Sequence, residues 1–148
     1  MQEPFVWQLR VYWEDTDAGG VIYHSRYLNF FERARTEWLR SLGIHQSNLS
    51  EEQNLVFGIR HMDIDFLLAG KLDDEIQVNV HSVEMGGASM KFCQDMIRLS
   101  DGEVLAKAKV VAVCLAADEF KPVRMPAWVR SKIENEEMKI KSGNNNAE

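Results

Sequence analysis

Residues 13–24 read Trp13-Glu14-Asp15-Thr16-Asp17-Ala18-Gly19-Gly20-Val21-Ile22-Tyr23-His24. Three acidic residues, a glycine pair and a histidine follow one another here and lead directly into the most strongly patterned helix of the chain. The sequence after that helix alternates as strands do. We therefore predict that this helix is the core element around which a sheet folds.

An amphipathic helix is predicted over residues 25–42. Its apolar residues recur at intervals of three and four, which is the spacing of one face of an α-helix. They are Tyr27, Leu28, Phe31, Ala34, Trp38, Leu39 and Leu42. Gly43 is a typical stop, because glycine readily takes the left-handed conformation after a last helical turn. The start of the helix is predicted between Tyr23 and Ser25.

The start of this helix is a candidate reaction site. The first backbone amides of a helix have no intrahelical acceptor and carry a partial positive charge, so they can polarise a carbonyl or bind an oxyanion. Gly19-Gly20 lets a ligand approach the backbone closely, and Asp17 lies in the same loop. A carboxylate beside a polarised carbonyl fits a nucleophile, or a base that activates water, in acyl transfer.

Two other interpretations of the loop stay open. Asp15 or Asp17 can simply cap a turn, which is a common role of aspartate in glycine-rich loops. Glu14, Asp15, Asp17 and His24 can also form a metal site, since three carboxylates and an imidazole suit several divalent ions. Their spacing matches no metal-binding motif known to us, and no metal is predicted.

Five strands are predicted from apolar alternation and turn signals. The predicted spans are 5–13, 56–66, 76–80, 90–97 and 104–114. A short helix or a loop is predicted for residues 44–53. Gly86-Gly87 and Asp101-Gly102 are hairpin signals. We expect the last four strands to follow one another in antiparallel order through short turns.

Three details of these strands are predicted as well. Val56, Gly58 and Met62 share one face of the second strand, which is interrupted at Arg60. The alternation of the fourth strand changes after Cys93, which favours a β-bulge there. The last strand carries mostly small residues on one face, so a helix can lie close against it.

A helix held in the curl of such a sheet buries both apolar faces. The predicted fold class is therefore α+β, with a curved antiparallel sheet of about five strands wrapped around one long helix. A C-terminal helix is predicted over residues 126–139. Residues 1–140 are predicted to form a single domain and residues 141–148 a disordered polar tail.

Composition excludes several classes of protein. The chain is 45% hydrophobic and 27% charged, as in ordinary globular proteins, and its net charge of −6 argues against general binding to nucleic acid. The sequence lacks the long apolar segment of a signal peptide or a membrane span, so a cytoplasmic location is expected. Cys93 and Cys114 lie in predicted strands and are expected to be small buried residues rather than a disulfide.

The loop and the helix resemble the acyl-CoA thioesterases of the hot-dog superfamily, specifically the Tol-Pal-associated group of the 4-hydroxybenzoyl-CoA thioesterase-like family. The residues that carry the resemblance are Arg10-Val11-Tyr12, Glu14 to Val21, Tyr23-His24, Tyr27 and Phe31 to Glu37. The likeness covers roughly residues 5–133, with weaker matches after the helix. It departs from the family at Trp13, where a tyrosine is expected in close relatives.

The resemblance implies a role for each matching residue. Asp17 matches the catalytic carboxylate. His24, with Tyr23 before it, matches the helix start whose backbone amide polarises the thioester carbonyl, and its imidazole is also proposed to assist. Gly19 and Gly20 are then expected beside the substrate.

The resemblance also implies a dimer, or a tetramer of paired dimers, with the acyl channel between two subunits. The second strand, with Ile59, Arg60 and His61, is then expected opposite Asp17 of the partner. Lys71, Lys91, Arg98 and Lys121 are candidate cations for the phosphates of coenzyme A, and Lys91 is included among the substrate-binding residues.

The sequence thus predicts an acyl-CoA thioesterase that releases a free acid and coenzyme A. Acyl-CoA, or an acyl group on acyl carrier protein, is the expected substrate. No separate cofactor is expected, because coenzyme A is part of the substrate. Two alternatives stay open: a hydratase or dehydratase that acts on carrier-bound acyl chains, and a non-catalytic protein that binds acyl groups or acts as a scaffold.

Overall fold

The computed structural model describes residues 4–146, and the side chains of residues 4–136. Its strands are β1 (Phe5–Arg10), β2 (Leu55–Phe66), β3 (Glu75–Val80), β4 (Ser82–Met85), β5 (Ser89–Arg98) and β6 (Val104–Ala116). Its helices are α1 (His24–Ser41), α2 (Gln46–Gln53) and α3 (Ala127–Asn146). The predicted α+β class, with one long helix against an antiparallel sheet and a helix at the C-terminal end, is confirmed.

The sheet has the order β1-β3-β5-β6-β2, and β4 pairs with β5 beside β3. The expected succession of the last four strands through short turns is therefore wrong for β2. Within residues 4–146 this strand pairs only with β6, at the edge of the sheet opposite β1. The connection from β2 to β3 must cross the end of the sheet. Alternation predicts which face of a strand is buried, but it does not predict the neighbouring strand.

A β-bulge interrupts β2 at Arg60, where the pairing with β6 shifts between Ile59 and His61. A bulge moves every later side chain to the other face of the strand. Phe57, rather than the predicted Val56 and Gly58, shares the inner face with the residues after the bulge, because Phe57 pairs with Cys114 on the inner face of β6.

The inner face of β5 includes a buried polar residue, Gln94, in line with Met90, Phe92 and Met96. The predicted bulge after Cys93 is wrong: β5 and β6 stay in register there, and the shift lies between Met96 and Ile97. The apolar alternation changes in the sequence only because the polar side chain of Gln94 occupies a core position.

The irregularity predicted for β5 lies instead in the segment that pairs with β5. This segment, residues 75–85, divides at His81 into β3 and β4. Asn79 stabilises the junction, since its side-chain oxygen accepts a hydrogen bond from the backbone amide of Asp95 at 2.7 Å. The extra strand raises the sheet to six strands.

Helix α1 packs its apolar stripe against the inner face of the sheet. The buried side chains are Tyr27, Phe30, Phe31, Ala34, Arg35, Trp38 and Leu39. Leu28, which was predicted on this face, is 39% exposed, because it lies one position off the stripe that Phe30 completes. Ala106, Ala108 and Ala112 of β6 are buried, as predicted for a strand that a helix approaches closely.

The termini differ from the prediction in two ways. Trp13 does not continue β1 but begins a single turn of 3₁₀ helix, Trp13–Asp15, and is 75% exposed. Helix α3 buries Val129 and Ile133 and continues to Asn146, into the segment predicted as a disordered tail. Glutamate, lysine and methionine of residues 136–141 are good helix formers, but the serine, glycine and asparagines of residues 142–146 are not, so propensity does not explain the last part of this helix. Residues 147–148 lie outside the described residues.

Candidate active site

The loop before α1 folds back on itself as a short antiparallel ladder. Thr16 pairs with Ile22, and the amide of Asp17 donates to the carbonyl of Val21 at 2.9 Å. The turn closes through Gly20, whose amide donates to the carbonyl of Asp17 at 3.1 Å. Gly20 has φ of +79°, a conformation that favours glycine. The acidic residue and the glycine pair are therefore held in one tight turn.

The side chain of Asp17 is exposed at this turn. Its Oδ1 accepts a hydrogen bond from the amide of Gly19 at 2.8 Å, so the turn-capping interpretation holds for this residue. In the described part of the chain Oδ2 has no hydrogen-bond partner and is available to a ligand. Asp15, by contrast, is buried, and its Oδ2 accepts from the amide of Tyr12 at 2.9 Å. Of the two aspartates, only Asp17 faces solvent.

Gly19→Ala tests the position of this carboxylate. A Cβ at Gly19 would lie 3.3 Å from Oδ1 of Asp17, which is closer than an ordinary contact, so the carboxylate must shift. If Asp17 acts on the substrate, we expect a fall of about tenfold in kcat, because small displacements of a reacting group are costly. Gly87→Ala, where a Cβ meets nothing within 4 Å, is the control. Unchanged kcat in both variants of an active enzyme would contradict a positional role of Gly19.

Helix α1 begins at His24, as predicted, with Tyr23 as its N-cap residue. The amide of Tyr23 is already used, because it donates to the carbonyl of Asp15 at 2.9 Å. Among the described residues the amide of His24 donates no hydrogen bond. Of the two residues at the predicted helix start, His24 therefore offers a free amide and Tyr23 does not. The two rings lie against each other, with centroids 4.4 Å apart.

A cavity of about 270 Å³ opens beside His24. The segment 66–69, which follows β2, forms one wall, and Ile22 and Tyr27 form the other. Phe66 stacks edge-on against Tyr27 at 5.1 Å. The sequence pattern predicts only a short turn for this connection. The apolar run Phe66-Leu67-Leu68-Ala69 was the signal that could have identified it, because exposed apolar runs often mark binding surfaces.

The connection between β2 and β3 also holds the Asp17 loop in place. The amide of Ile22 donates to the carbonyl of Gly70 at 2.9 Å, and Val21 pairs with Lys71. The amide of Gly70 in turn donates to the hydroxyl of Tyr27 at 3.3 Å. The loop, the helix and the connection therefore form one supported unit.

Gly70→Ala is expected to destabilise this unit. A Cβ at Gly70 would overlap Cδ1 of Ile22 and approach Leu105, both of which are buried. Overpacking of this kind typically costs about 1–3 kcal/mol of the free energy of unfolding. Chemical denaturation of the variant measures the loss, and Gly87→Ala again serves as the control. A variant as stable as the wild type would show that the connection adjusts freely.

The other predicted substrate residues are not brought to this loop within one chain. Ile59, Arg60 and His61 lie exposed in the middle of β2, at the edge of the sheet opposite β1. Lys91 is exposed on the outer face of β5, since its neighbours Met90 and Phe92 face inward. No hydrogen bond or ion pair among the described residues links these four side chains to the Asp17 loop.

The candidate cations differ in their availability. Arg98 donates to both oxygens of Asp101 and to the carbonyl of Ala69, so it is committed to the protein. Lys121 is exposed and lies 3.9 Å from Glu119. Lys71 is exposed, and its backbone pairs with the Asp17 loop. Lys71 is thus the candidate cation whose chain position adjoins the loop.

The metal-site interpretation and the expectations about membrane spans and cysteines can be compared with the structure. Within the described residues, no three of the His, Cys, Asp and Glu side chains converge as metal ligands, and Asp15 faces inward. The described helices include none that is both long and apolar enough to cross a membrane. Cys93 and Cys114 both carry free thiols, and burial raises the pKa of Cys114.

A curved antiparallel sheet around one long helix, with an acidic turn against the start of that helix, defines a protein of the hot-dog fold. Solved structures support this class. The 1,4-dihydroxy-2-naphthoyl-CoA thioesterase Slr0204 of Synechocystis aligns with a TM-score of 0.81 over 88% of this chain and 96% of its own, at 24% identity. A probable thioesterase from Bartonella henselae aligns with a TM-score of 0.77 at 35% identity, over 84% of this chain and all of its own.

Sequence comparison gives the family. The model of the thioesterase-like superfamily matches residues 11–133, and the chain belongs to that superfamily. The acyl-CoA thioesterase YbgC of Haemophilus influenzae is 46% identical over 86% of this chain and 92% of its own. The acyl-CoA thioester hydrolase YbgC of Escherichia coli O157:H7 is 38% identical over 82% of this chain and 90% of its own. The predicted superfamily is thereby confirmed.

Proposed function

We propose that this chain is an acyl-CoA thioester hydrolase. The observation that carries the proposal is the exposed Asp17 carboxylate, with one oxygen free, on a turn that leads within a few residues to the unpaired first amide of α1. The enzymes named YbgC, which cover most of this chain, support the same reaction. A carboxylate and an oxyanion-binding amide are the two groups that acyl transfer to water requires.

The proposed steps use Asp17 and His24. The amide of His24 donates to the thioester oxygen and stabilises the negative charge that develops there. Asp17 either attacks the carbonyl carbon, which expels the thiolate of coenzyme A and leaves an anhydride for water to cleave, or removes a proton from attacking water. Val21, directly opposite Asp17 in the ladder, precedes His24 by three residues, or about 10 Å of extended chain. A bound thioester and the Asp17 side chain can span that separation.

We further propose a dimer formed through β2. This strand is 12 residues long, lies at a sheet edge and pairs on one side only. Long edge strands offer unpaired backbone groups to another strand, and a second copy of β2 can supply them by two-fold symmetry. In that dimer the segment 59–61 faces Asp17 of the partner. Pairing of two dimers into a tetramer is a further expectation of the resemblance.

Further expectations from the sequence accompany this proposal. The reaction uses no separate cofactor and takes place in the cytoplasm. Coenzyme A, or acyl carrier protein, carries the acyl group. The Tol-Pal association rests on the resemblance alone and stays a prediction. Trp13, exposed two residues before the buried Asp15, replaces the tyrosine expected there, so acyl preference or rate is predicted to differ from close relatives.

Release of free thiol from a series of saturated acyl-CoA esters tests the proposed activity. The thioesterase must release coenzyme A with multiple turnovers from at least one member of the series. A hydratase or dehydratase leaves the thioester intact, and a scaffold binds acyl-CoA without releasing thiol. Either of those outcomes would refute the proposal.

A further inference from the structure

Arg35 is a buried cation that forms no ion pair with the carboxylates of residues 4–136. It lies on the core side of α1 and is only 5% exposed. Burial lowers the pKa of Arg35 to about 10, while the nearby charge of Glu32 raises it, so the side chain remains charged at neutral pH. A buried charge that lacks a counter-charge is costly unless another group compensates it.

A single hydrogen bond orients the guanidinium. Nη1 of Arg35 donates to Oε1 of Gln94 at 3.1 Å, and Nε2 of Gln94 donates to the carbonyl of Phe31 at 3.0 Å. The amide of Gln94 is fixed by these two bonds, so its oxygen must face Arg35. The guanidinium has five N–H groups, and the described residues accept only one of them.

Arg35 also lines a cavity of about 130 Å³ between α1, α2 and the inner face of the sheet. Polar groups line the helix side, where Gln46 donates to the hydroxyl of Thr36 at 3.2 Å. The sheet side is apolar and includes Ile59 and Phe92. At about 30 Å³ for a water-sized group, the cavity has room for roughly four such groups.

The charge and shape of the cavity restrict its occupant. Its apolar wall favours methylene groups, while the guanidinium favours a planar acceptor that takes two hydrogen bonds, such as a carboxylate. Glu32 also borders the cavity, but its side chain is exposed and makes no ion pair with Arg35. An anion bound at Arg35 would therefore add a direct counter-charge to the distant one that Glu32 supplies.

We propose that this cavity binds the free carboxylate at the end of an acyl chain, so that the enzyme accepts the CoA monothioesters of dicarboxylic acids. Arg35 is the specificity-determining residue, and Gln94 positions it. This inference rests on the proposed function and on the proposed dimer, in which Ile59, 50% exposed at the cavity, faces Asp17 of the partner. The acyl chain would enter the cavity past Ile59 of one subunit, with its thioester at Asp17 of the partner.

Matched substrates test the inference on the wild-type protein. Each CoA monothioester from succinyl-CoA to suberoyl-CoA is compared with the straight-chain acyl-CoA of the same carbon number, by kcat/KM for thiol release. At the length that reaches Arg35 we expect a preference of about tenfold or more for the carboxylate, as for other charge-assisted bidentate contacts. Absence of that preference at every length would overturn the proposal.

Variants assign the preference to Arg35. Arg35→Met should abolish it, because kcat/KM for the carboxylate substrate should fall about tenfold more than kcat/KM for the methyl-ended substrate, mainly through a higher KM. Arg35→Lys should keep part of it. Arg33→Met, which removes an exposed charge from the same helix, should change neither substrate. Equal losses on both substrates in Arg35→Met would show a purely structural role and overturn the proposal.

Gln94→Glu is a second variant that retains Arg35. The new carboxylate replaces the amide oxygen beside the guanidinium and competes with the substrate, so the preference should disappear; a preference that persists would count against the proposal.

Asp17→Asn distinguishes failure of the proposed function from failure of the proposed carboxylate subsite. If wild-type protein releases no thiol, the proposed function fails, and if Asp17→Asn keeps full activity, the proposed role of Asp17 fails. If activity depends on Asp17 but shows no carboxylate preference, only the subsite fails.

Discussion

Asp17→Asn is expected to lower kcat for acyl-CoA hydrolysis by about 10²-fold or more, the range in which positioned acid–base or nucleophilic groups act. Asparagine preserves a side-chain oxygen that can accept the hydrogen bond from the amide of Gly19, so the turn should remain closed. It removes the negative charge and the free oxygen that attack or proton removal requires. Asp17→Ala removes both functions and should lose at least as much activity.

Glu14→Gln is the matched control for Asp17→Asn. Glu14 is also an exposed carboxylate of the loop, but it belongs to the 3₁₀ turn rather than to the ladder opposite Val21. Its neutralisation should leave kcat within about twofold, as for surface changes away from a site. Circular dichroism and thermal unfolding establish that all variants fold. Retention of wild-type kcat by Asp17→Asn would remove this carboxylate from the mechanism.

The sequence was most informative where chemistry depends on local order. The boundaries of α1, the turn at Gly19-Gly20 and the exposed position of Asp17 all follow from residues within a few positions of one another. The use of the Tyr23 amide by Asp15 does not, because it depends on how the chain folds back after the turn. A single backbone hydrogen bond therefore decides which amide can contact a substrate.

Pairing between distant segments could not be predicted. Arginine and glutamine are usually exposed, so nothing in the local pattern indicates that Arg35 and Gln94 meet in the core, 59 residues apart. The same limit applies to β2, whose neighbour is β6 rather than β3, and to the bulge at Arg60 that reverses its faces. Each depends on contacts between segments that are far apart in the chain.

Ile59→Lys is expected to convert the proposed dimer to a monomer and to reduce kcat/KM for acyl-CoA by about 10²-fold. Natural proteins use lysine on edge strands to prevent pairing with another chain, and Ile59 is half exposed in the middle of the β2 edge. Activity should fall because the segment 59–61 of the partner completes the acyl channel in the proposed dimer, and a poorly positioned acyl group reacts slowly.

Val6→Lys provides the control at the other edge of the sheet. Val6 is 47% exposed on β1, which also pairs on one side only, so the two variants add the same charge to comparable strands. Light scattering after size exclusion should give the 17.0 kDa chain mass for Ile59→Lys, and twice or four times that mass for Val6→Lys and the wild type. If Ile59→Lys is monomeric yet fully active, the site is complete within one chain. In that case the cavity beside His24, rather than the one at Ile59, would have to receive the acyl group.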